Sequence, residues 1–203
     1  MLIEQPPKLY RLLYPKTTWR KPIEGEKAVY LTFDDGPIPE VTPWVLDVLD
    51  QYNIKATFFC VGDNVRKHPQ VYTEVLSRGH KTGNHTFNHL QGIRTRSQNF
   101  VKNTDLAHQY IDSPLFRPPH GHMRWVQYWL LRNKYQIVMW DVVTRDYSKH
   151  MTPEKVFANV KRYTRNGSII VFHDSLKAEK NMKGALAQSI EWLIAEGYTF
   201  KLL

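Results

Sequence analysis

The chain has little that would support disulfides, export or membrane insertion. Cys60 is its single cysteine, so no disulfide can form within the 203 residues. Uninterrupted apolar runs are short, as in Ile169–Phe172, so we expect no transmembrane segment. Residues 1–7 lack a basic segment followed by an apolar core, so no secretory signal is visible. By sequence, these features indicate a cytoplasmic protein.

Acidic residues are also scarce. The chain has 19 Asp and Glu against 28 Lys and Arg, which gives a net charge of +9 and favours anionic partners. No zinc finger, recognition helix or RNA-binding aromatic motif accompanies this charge, so no nucleic-acid partner is expected. Hydrophobic residues make up 42% of the chain, which excludes intrinsic disorder and allows a sizeable core.

The order of apolar segments predicts an N-terminal arm and one domain. Residues 1–25 read as an arm, and residues 26–203 alternate strand-like and helix-like patterns about seven times. The predicted strands cover 28–33, 56–61, 80–84, 115–117, 136–142, 168–172 and 198–202. The helices between them begin near Thr42, Pro69, Ser97, 123, Thr152 and 183. This alternation predicts an α/β fold with parallel strands.

The first strand decides between an open sheet and a barrel. It ends in Asp34-Asp35-Gly36-Pro37 and therefore offers carboxylates, where an open nucleotide-binding sheet would have a glycine-rich loop. We therefore predict a barrel related to the (β/α)₈ type but with fewer units.

Most side chains capable of chemistry follow the predicted strands, where a parallel barrel gathers them at one edge. They are Asp34, Asp35, His85, His89, Arg117, Asp146, His173 and Asp174. His85 and His89 lie four residues apart and can bind one metal ion, with a carboxylate from the Asp pair as third ligand. Asp residues that cap a turn and histidines at the surface are the alternative interpretations.

A metal at this position would lower the pKa of a bound water to about 7 and so supply a nucleophile. The reaction then needs a base and an acid. Asp34 suits the base and His173 the acid. Asp146 could hold the proton on His173, and Arg117 could orient Asp34 and keep it ionised.

Five ordered segments resemble the motifs of the NodB-type polysaccharide deacetylases, carbohydrate esterase family 4. The segments are Thr32–Pro37, His85–His89, Arg117–Gly121, Trp140–Tyr147 and Ile170–Asp174. The resemblance covers about residues 26–203. It implies a distorted, incomplete (β/α) barrel, the NodB homology domain, and a metal-dependent hydrolase that removes acetyl groups from N-acetylated sugars of peptidoglycan- or chitin-like glycans.

The resemblance also implies a role for each matching residue. Asp35, His85 and His89 match the metal ligands, and zinc is the common metal, with cobalt, nickel and manganese as alternatives. Asp34 and His173 match the catalytic base and acid, and Arg117 and Asp146 match their partners. Three substrate-side positions depart from the family pattern: His120 stands where Tyr is usual, Tyr147 where Trp is usual, and Val171 where Leu is usual.

Other functions remain open at this point. The same residues could serve an O-acetyl esterase acting on xylan-type glycans, and the same fold could be a non-catalytic glycan-binding protein. A phosphoester hydrolase is suggested only by the basic charge. The expected partner is an acetylated glycan found in the cell envelope, which contrasts with the absence of a visible export signal. Basic and aromatic residues in loops expected beside the cleft could also grip substrate: Arg94, Arg96, Arg124, Trp125 and Arg145.

Overall fold

A computed structural model describes residues 4–203. Its strands are β1 (Ala28–Asp34), β2 (Thr57–Cys60), β3 (Lys81–Asn84), β4 (Leu115–Phe116), β5 (Gln136–Ile137), β6 (Val142–Val143), β7 (Ser168–His173) and β8 (Thr199–Phe200). Its helices are α1 (Lys8–Leu12), α2 (Thr42–Gln51), α3 (Gly62–Lys67), α4 (Pro69–Ser77), α5 (Ser97–His108), α6 (Trp125–Leu131), α7 (Pro153–Tyr163) and α8 (Glu179–Ala195). A 3₁₀ turn covers Pro119–Gly121.

All strand pairings in the sheet are parallel. Seven strands follow the order β5-β4-β3-β2-β1-β7-β6, and β8 pairs with the first two residues of β1. Every residue of β1 is buried, as expected for a central parallel strand with both faces covered. The carboxyl end of β1 pairs with β2 and β7, so the strand ends that carry polar residues lie side by side.

The sheet curls into an incomplete barrel. Only four residues, 138–141, join its two edge strands, and the five steps from Ile137 to Val142 can span at most about 18 Å. A flat sheet of seven strands would separate those edges by about 29 Å. Val138 N–H bonds to Phe116 O in β4, and Asp141 N–H bonds to Ile169 O in β7, so the connecting segment crosses the gap.

Alternate residues of β1 serve different cores. Leu31 and Phe33 face the helices in the main cluster, which includes α2 and α8. Tyr30 belongs to an inner cluster with residues from β2, β4 and β7 that fills the barrel. A third cluster joins the arm to α5 and α6 through Tyr14 and Trp19. The arm is therefore packed on the barrel and does not extend from it.

The α/β barrel prediction is confirmed, with local corrections. The predicted strand over 136–142 was wrong: Gln136–Ile137 and Val142–Val143 are separate strands on opposite edges of the sheet. The apolar pattern of residues 136–142 does not show that the chain crosses there from one edge of the sheet to the other. The short helix α3 was also missed. Residues 1–3 of the predicted arm lie outside the described residues, and the boundary between arm and domain stays a prediction. Among residues 4–203, none of the helices has the length and apolar character needed to cross a bilayer.

Candidate active site

A cleft of about 880 Å³ opens at the carboxyl edge of the sheet. Ten residues were given a catalytic, substrate or metal role by the resemblance, and eight of them line the cleft: Asp34, Asp35, His85, His89, His120, Tyr147, Val171 and His173. The other two, Arg117 and Asp146, are fully buried behind the cleft and hydrogen-bond to residues that line it. The structure thus brings together all ten.

Asp35, His85 and His89 form a compact cluster. One ligand atom of each lies within 4.8 Å of the other two. Asp35 Oδ1 is 3.1 Å from His89 Nε2 and 3.7 Å from His85 Nε2. Burial alone would raise the pKa of Asp35, but the neighbouring imidazole of His89 and the charge of His173 hold it well below its usual range. The carboxylate therefore remains ionised.

The cluster has the features of a metal site. Asp35 Oδ1 is buried and has no hydrogen-bond partner within residues 4–203, although His89 Nε2 is close. His85 Nδ1 lies 2.7 Å from the carbonyl oxygen of Arg117 and donates to it, which leaves the lone pair on Nε2 facing Asp35. Burial lowers the pKa of His85 to about 4, so the ring is neutral. An orphaned carboxylate oxygen beside the neutral His85 ring and the His89 imidazole fits a divalent cation.

Asp34 is held by a buried arginine. Arg117 Nη1 donates to Asp34 Oδ1 at 2.5 Å and to Thr32 Oγ1 at 2.9 Å. The other guanidinium donors bond to carbonyl oxygens of residues 138 and 139, and the guanidinium lies over the Phe59 ring at 3.9 Å. With a hydrogen-bond acceptor at each of its three nitrogens, the buried guanidinium fixes the orientation of Asp34. Asp34 Oδ2 is left 4.0 Å from His85 Nε2.

His173 is paired with Asp146. Its Nδ1 lies 2.7 Å from Asp146 Oδ1, and its backbone N–H donates to Asp146 Oδ2 at 2.8 Å. Burial alone would lower the pKa of His173, but the charge of Asp146 and this hydrogen bond raise it to about 9. The ring is therefore protonated at neutral pH. Because Nδ1–H is engaged by the carboxylate, Nε2–H is the donor available to the cleft.

Backbone conformations at the site are unusual. Asp35, Thr86, His89, His120 and Arg145 all have φ between 53° and 83°, a region that costs energy for residues with a Cβ. These residues lie in the loops that follow the strands around the cleft. The loop geometry that aims the ligands is therefore imposed by the surrounding structure.

The turn after Asp35 is fixed by a second carboxyl group. Asp174 accepts a hydrogen bond from Gly36 N–H at 3.1 Å and contacts Thr42 Oγ1 at 2.6 Å. A Cβ at position 36 would overlap this carboxyl group, so the turn requires glycine. Asp174 was among the polar residues at the predicted strand ends, but its contact with Gly36 spans 138 residues and could not be inferred from spacing.

The substrate-side residues all line the cleft. The Tyr147 ring packs edge-on against His173 with centroids 4.7 Å apart. The His120 ring lies 4.9 Å from that of His89, and its Nε2 is 3.2 Å from Gln91 Nε2. Of the loop residues expected beside the cleft, Arg94 lines it. The lining does not include Arg96, Arg124, Trp125 or Arg145.

The arm supplies cleft residues that the sequence did not reveal. Pro6, Pro7 and Tyr10 line the cleft together with Trp140 and others. Tyr10 Oη donates to Gly121 O at 2.8 Å and lies 2.8 Å from His122 Nδ1. These contacts join residues more than 100 positions apart, so no local pattern could have revealed them.

Comparison with known proteins gives consistent matches. A family model described as polysaccharide deacetylase matches residues 21–135. A peptidoglycan-N-acetylglucosamine deacetylase of Bacillus cereus is 34% identical over 191 residues, which is 90% of this chain and 89% of that protein. A chitooligosaccharide deacetylase of Bradyrhizobium is 33% identical over 160 residues, covering 75% of this chain and 73% of that protein. A crystal structure of a peptidoglycan N-acetylglucosamine deacetylase, solved with a naphthalenyl N-hydroxybenzamide, has a TM-score of 0.84 at 30% identity and covers 98% of this chain and 95% of that one.

Proposed function

The chain belongs to the polysaccharide deacetylase family and is a hydrolase of that class, and from this premise we propose that it removes acetyl groups from N-acetylated sugars of a peptidoglycan- or chitin-like glycan. One observation carries the proposal. A carboxylate–imidazole cluster suited to a metal shares one cleft with two separately held proton-transfer groups, Asp34 and His173. Metal-assisted hydrolysis of an amide uses these three elements.

Asp35, His85 and His89 would hold one divalent ion, and we propose zinc because two imidazoles and one carboxylate suit it. When bound, the ion would supply Lewis acidity, which lowers the pKa of water and polarises the acetyl carbonyl group. Cobalt, nickel and manganese accept the same donors in other geometries.

Asp34 would accept the proton of the attacking water. Arg117 occupies its Oδ1, so Oδ2 is the oxygen free to act as a base. Because Asp34 is held by Arg117 and Asp35 is not, the two adjacent carboxylates have separate tasks. This division is why we assign the base to Asp34 and the metal ligand to Asp35.

His173 would donate a proton to the leaving amine. Its pKa of about 9 keeps Nε2 protonated while Asp146 holds Nδ1–H. Tyr147 and Val171 would form the small apolar wall for the acetyl methyl group, and His120 would contact the sugar. The names of the relatives support a GlcNAc-containing glycan as substrate.

The assignment of the two aspartates has a direct test. We expect Asp34→Asn to retain bound zinc and lose at least about a hundredfold in kcat, because a general base is removed while the ligands stay. Asp35→Asn should lose zinc affinity itself. Metal content after dialysis, measured with turnover, checks both variants. Loss of zinc in Asp34→Asn with retention in Asp35→Asn would show that the roles are reversed.

The substrate is tested with a panel of acetylated glycans. Acetate release from chitooligosaccharides or peptidoglycan by the zinc-loaded protein supports the proposal. Release only from acetylated xylan would make the protein an O-acetyl esterase. Binding of a glycan without acetate release, whichever metal is added, would make it a non-catalytic protein of this fold.

A further inference from the structure

A group of large apolar side chains is exposed on one part of the surface. On α1, Leu9 and Leu12 are 77% and 72% exposed, and on α6, Trp125 and Val126 are 51% and 57% exposed. We call the full group the arm–α6 face; it consists of Leu9, Leu12, Leu13, Ile93, Trp125, Val126, Trp129 and Leu130. These eight are more than half of the exposed large apolar residues of the described chain. Exposure of this size marks an interaction surface.

The three parts of the face are neighbours in the fold. Tyr14, just after α1, packs its ring 5.6 Å from that of Tyr128 on α6 and donates to Met123 O. Arg124, at the start of α6, donates from Nε to Ile93 O at 3.0 Å. Helix α6 has apolar residues on all sides apart from Gln127, but only one side is buried. Its outer side is exposed, with the Arg132 guanidinium lying 4.3 Å from the centre of the Trp129 ring.

The positive charge of the chain is concentrated in the segments that carry the face. Residues 5–23, 86–104 and 113–140 hold 12 of the 28 Lys and Arg and none of the 19 Asp and Glu. The rest of the chain has 16 basic residues against 19 acidic ones. Acids from elsewhere pair with some of the twelve: Asp141 with Arg11, Asp105 with Lys134, and Asp34 with Arg117. The net charge of +9 is thus more than accounted for by these segments.

We propose that the arm–α6 face docks on the surface of a bilayer that contains anionic lipids. Leucines and tryptophans flanked by basic residues, here Lys8, Arg94, Arg124 and Arg132, are the pattern of proteins that insert shallowly between headgroups. A second copy of this chain fits poorly, because the segments that carry the face have an excess of basic residues and two copies would repel each other there. A glycan fits poorly because six of the eight side chains are aliphatic and cannot stack on sugar rings.

The face adjoins the cleft. Ile93 belongs to the face and also lines the cleft, and Pro7 and Tyr10 line it from the arm. A docked protein would therefore present its cleft close to the lipid headgroups. This inference rests on exposure and charge and does not depend on the proposed deacetylation.

Vesicle flotation with the full metal-loaded chain tests the proposal. We expect flotation with mixed phosphatidylcholine–phosphatidylglycerol vesicles, much weaker flotation with phosphatidylcholine alone, and release as salt is raised. Leu9→Ser with Leu12→Ser should lower partitioning about tenfold or more. Lys8→Glu with Lys16→Glu should weaken binding to the mixed vesicles by about tenfold.

Matched variants elsewhere on the surface separate docking from general effects. Leu76→Ser with Leu176→Ser replaces exposed leucines outside the face, and Lys149→Glu with Lys180→Glu reverses exposed charges outside it. Both controls should float like the unaltered protein. All four variants should release acetate from a soluble oligosaccharide at the unaltered rate, which also reports that they fold.

Two results would overturn the proposal. One is an absence of binding to anionic vesicles, or binding that the face variants leave unchanged. The other is a concentration-dependent dimer, lost with Leu9→Ser and Leu12→Ser and accompanied by no vesicle binding, which would assign the face to a second copy. Loss of acetate release in the unaltered protein, with vesicle binding intact, would contradict only the proposed function.

Discussion

Replacing Asp146 by asparagine tests how the fold supports the proposed role of His173 as an acid. Asp146 is fully buried and hydrogen-bonds to both the ring and the backbone of His173. The asparagine side chain would keep a similar shape and one acceptor but lose the negative charge. The burial that lowers the pKa of His173 would remain, and the attraction that raises it to about 9 would be gone.

The size of the effect follows from the geometry. The two groups touch at 2.7 Å, so their charge centres lie about 4 Å apart. At an effective dielectric constant of about 20, that pair is worth about 4 kcal/mol, or about three pKa units. We expect the pKa of His173 to fall from about 9 to about 6 in Asp146→Asn. At about pH 7.5 the protonated fraction, and with it kcat, then falls about thirtyfold.

Two assays check this prediction. NMR titration of the metal-free protein should show the His173 imidazole titrating near pH 9, and about three units lower in Asp146→Asn. The alkaline limb of kcat against pH should move down by a similar amount. Asp141→Asn is the matched control, because Asp141 is an equally buried carboxylate that pairs with Arg11 and Arg165. It should lose stability and keep the pH profile.

Stability gives an independent check. The pKa of His173 is higher in the folded protein than in the unfolded chain, where it is about 6.5. Its contribution to the free energy of unfolding is therefore complete below about pH 6.5 and is lost as the pH rises through about 9. The free energy of unfolding of the metal-free protein should fall by up to about 3 kcal/mol over that window, and less in Asp146→Asn. An unchanged alkaline limb in Asp146→Asn, with normal metal content, would refute the reasoning.

Two further predictions concern residues away from the metal cluster. His80 Nδ1 accepts a hydrogen bond from Ala56 N–H, and burial lowers the pKa of His80 to about 4. Lowering the pH from about 6.5 to about 4 should therefore cost about 2 kcal/mol of stability. His80→Gln should flatten that loss in a pH series of urea unfolding curves. Tyr10→Phe should lower folding stability by about 1 kcal/mol and raise KM more than it lowers kcat, because the Tyr10 hydroxyl holds Gly121 at the cleft. The control Tyr52→Phe removes an exposed hydroxyl and should change neither the stability nor the kinetic constants.

Much of the catalytic constellation could be predicted from local sequence. His85 and His89 are four residues apart, and Asp34 and Asp35 end a strand, so their juxtaposition needs only parallel strands with aligned ends. Arg117 and His173 follow the same rule. The same rule allows Arg117 to meet Asp34 and His173 to meet Asp146. The hydrogen-bond distances of the two pairs are known only from the structure.

Other features depended on packing that no local pattern carries. Residues 136–142 have the pattern of a single strand, yet they connect the two edges of the sheet. They can do so because the sheet curls, and Val138 packs in the inner cluster. Tyr10 reaches the cleft because the arm is anchored by Tyr14 and Trp19 in a core shared with α5 and α6. The basic residues of the arm can be read from the sequence, but the packing of the arm against α6 cannot.

The sequence by itself determined the class of fold, the family and which residues make up the candidate site, because strand–helix periodicity and motif order are local properties of the chain. The tertiary structure alone decided which Asp34 oxygen stays free, why His173 holds its proton, and how the arm closes one side of the cleft. These outcomes depend on contacts between residues far apart in sequence, and on the burial that gives those contacts their electrostatic strength.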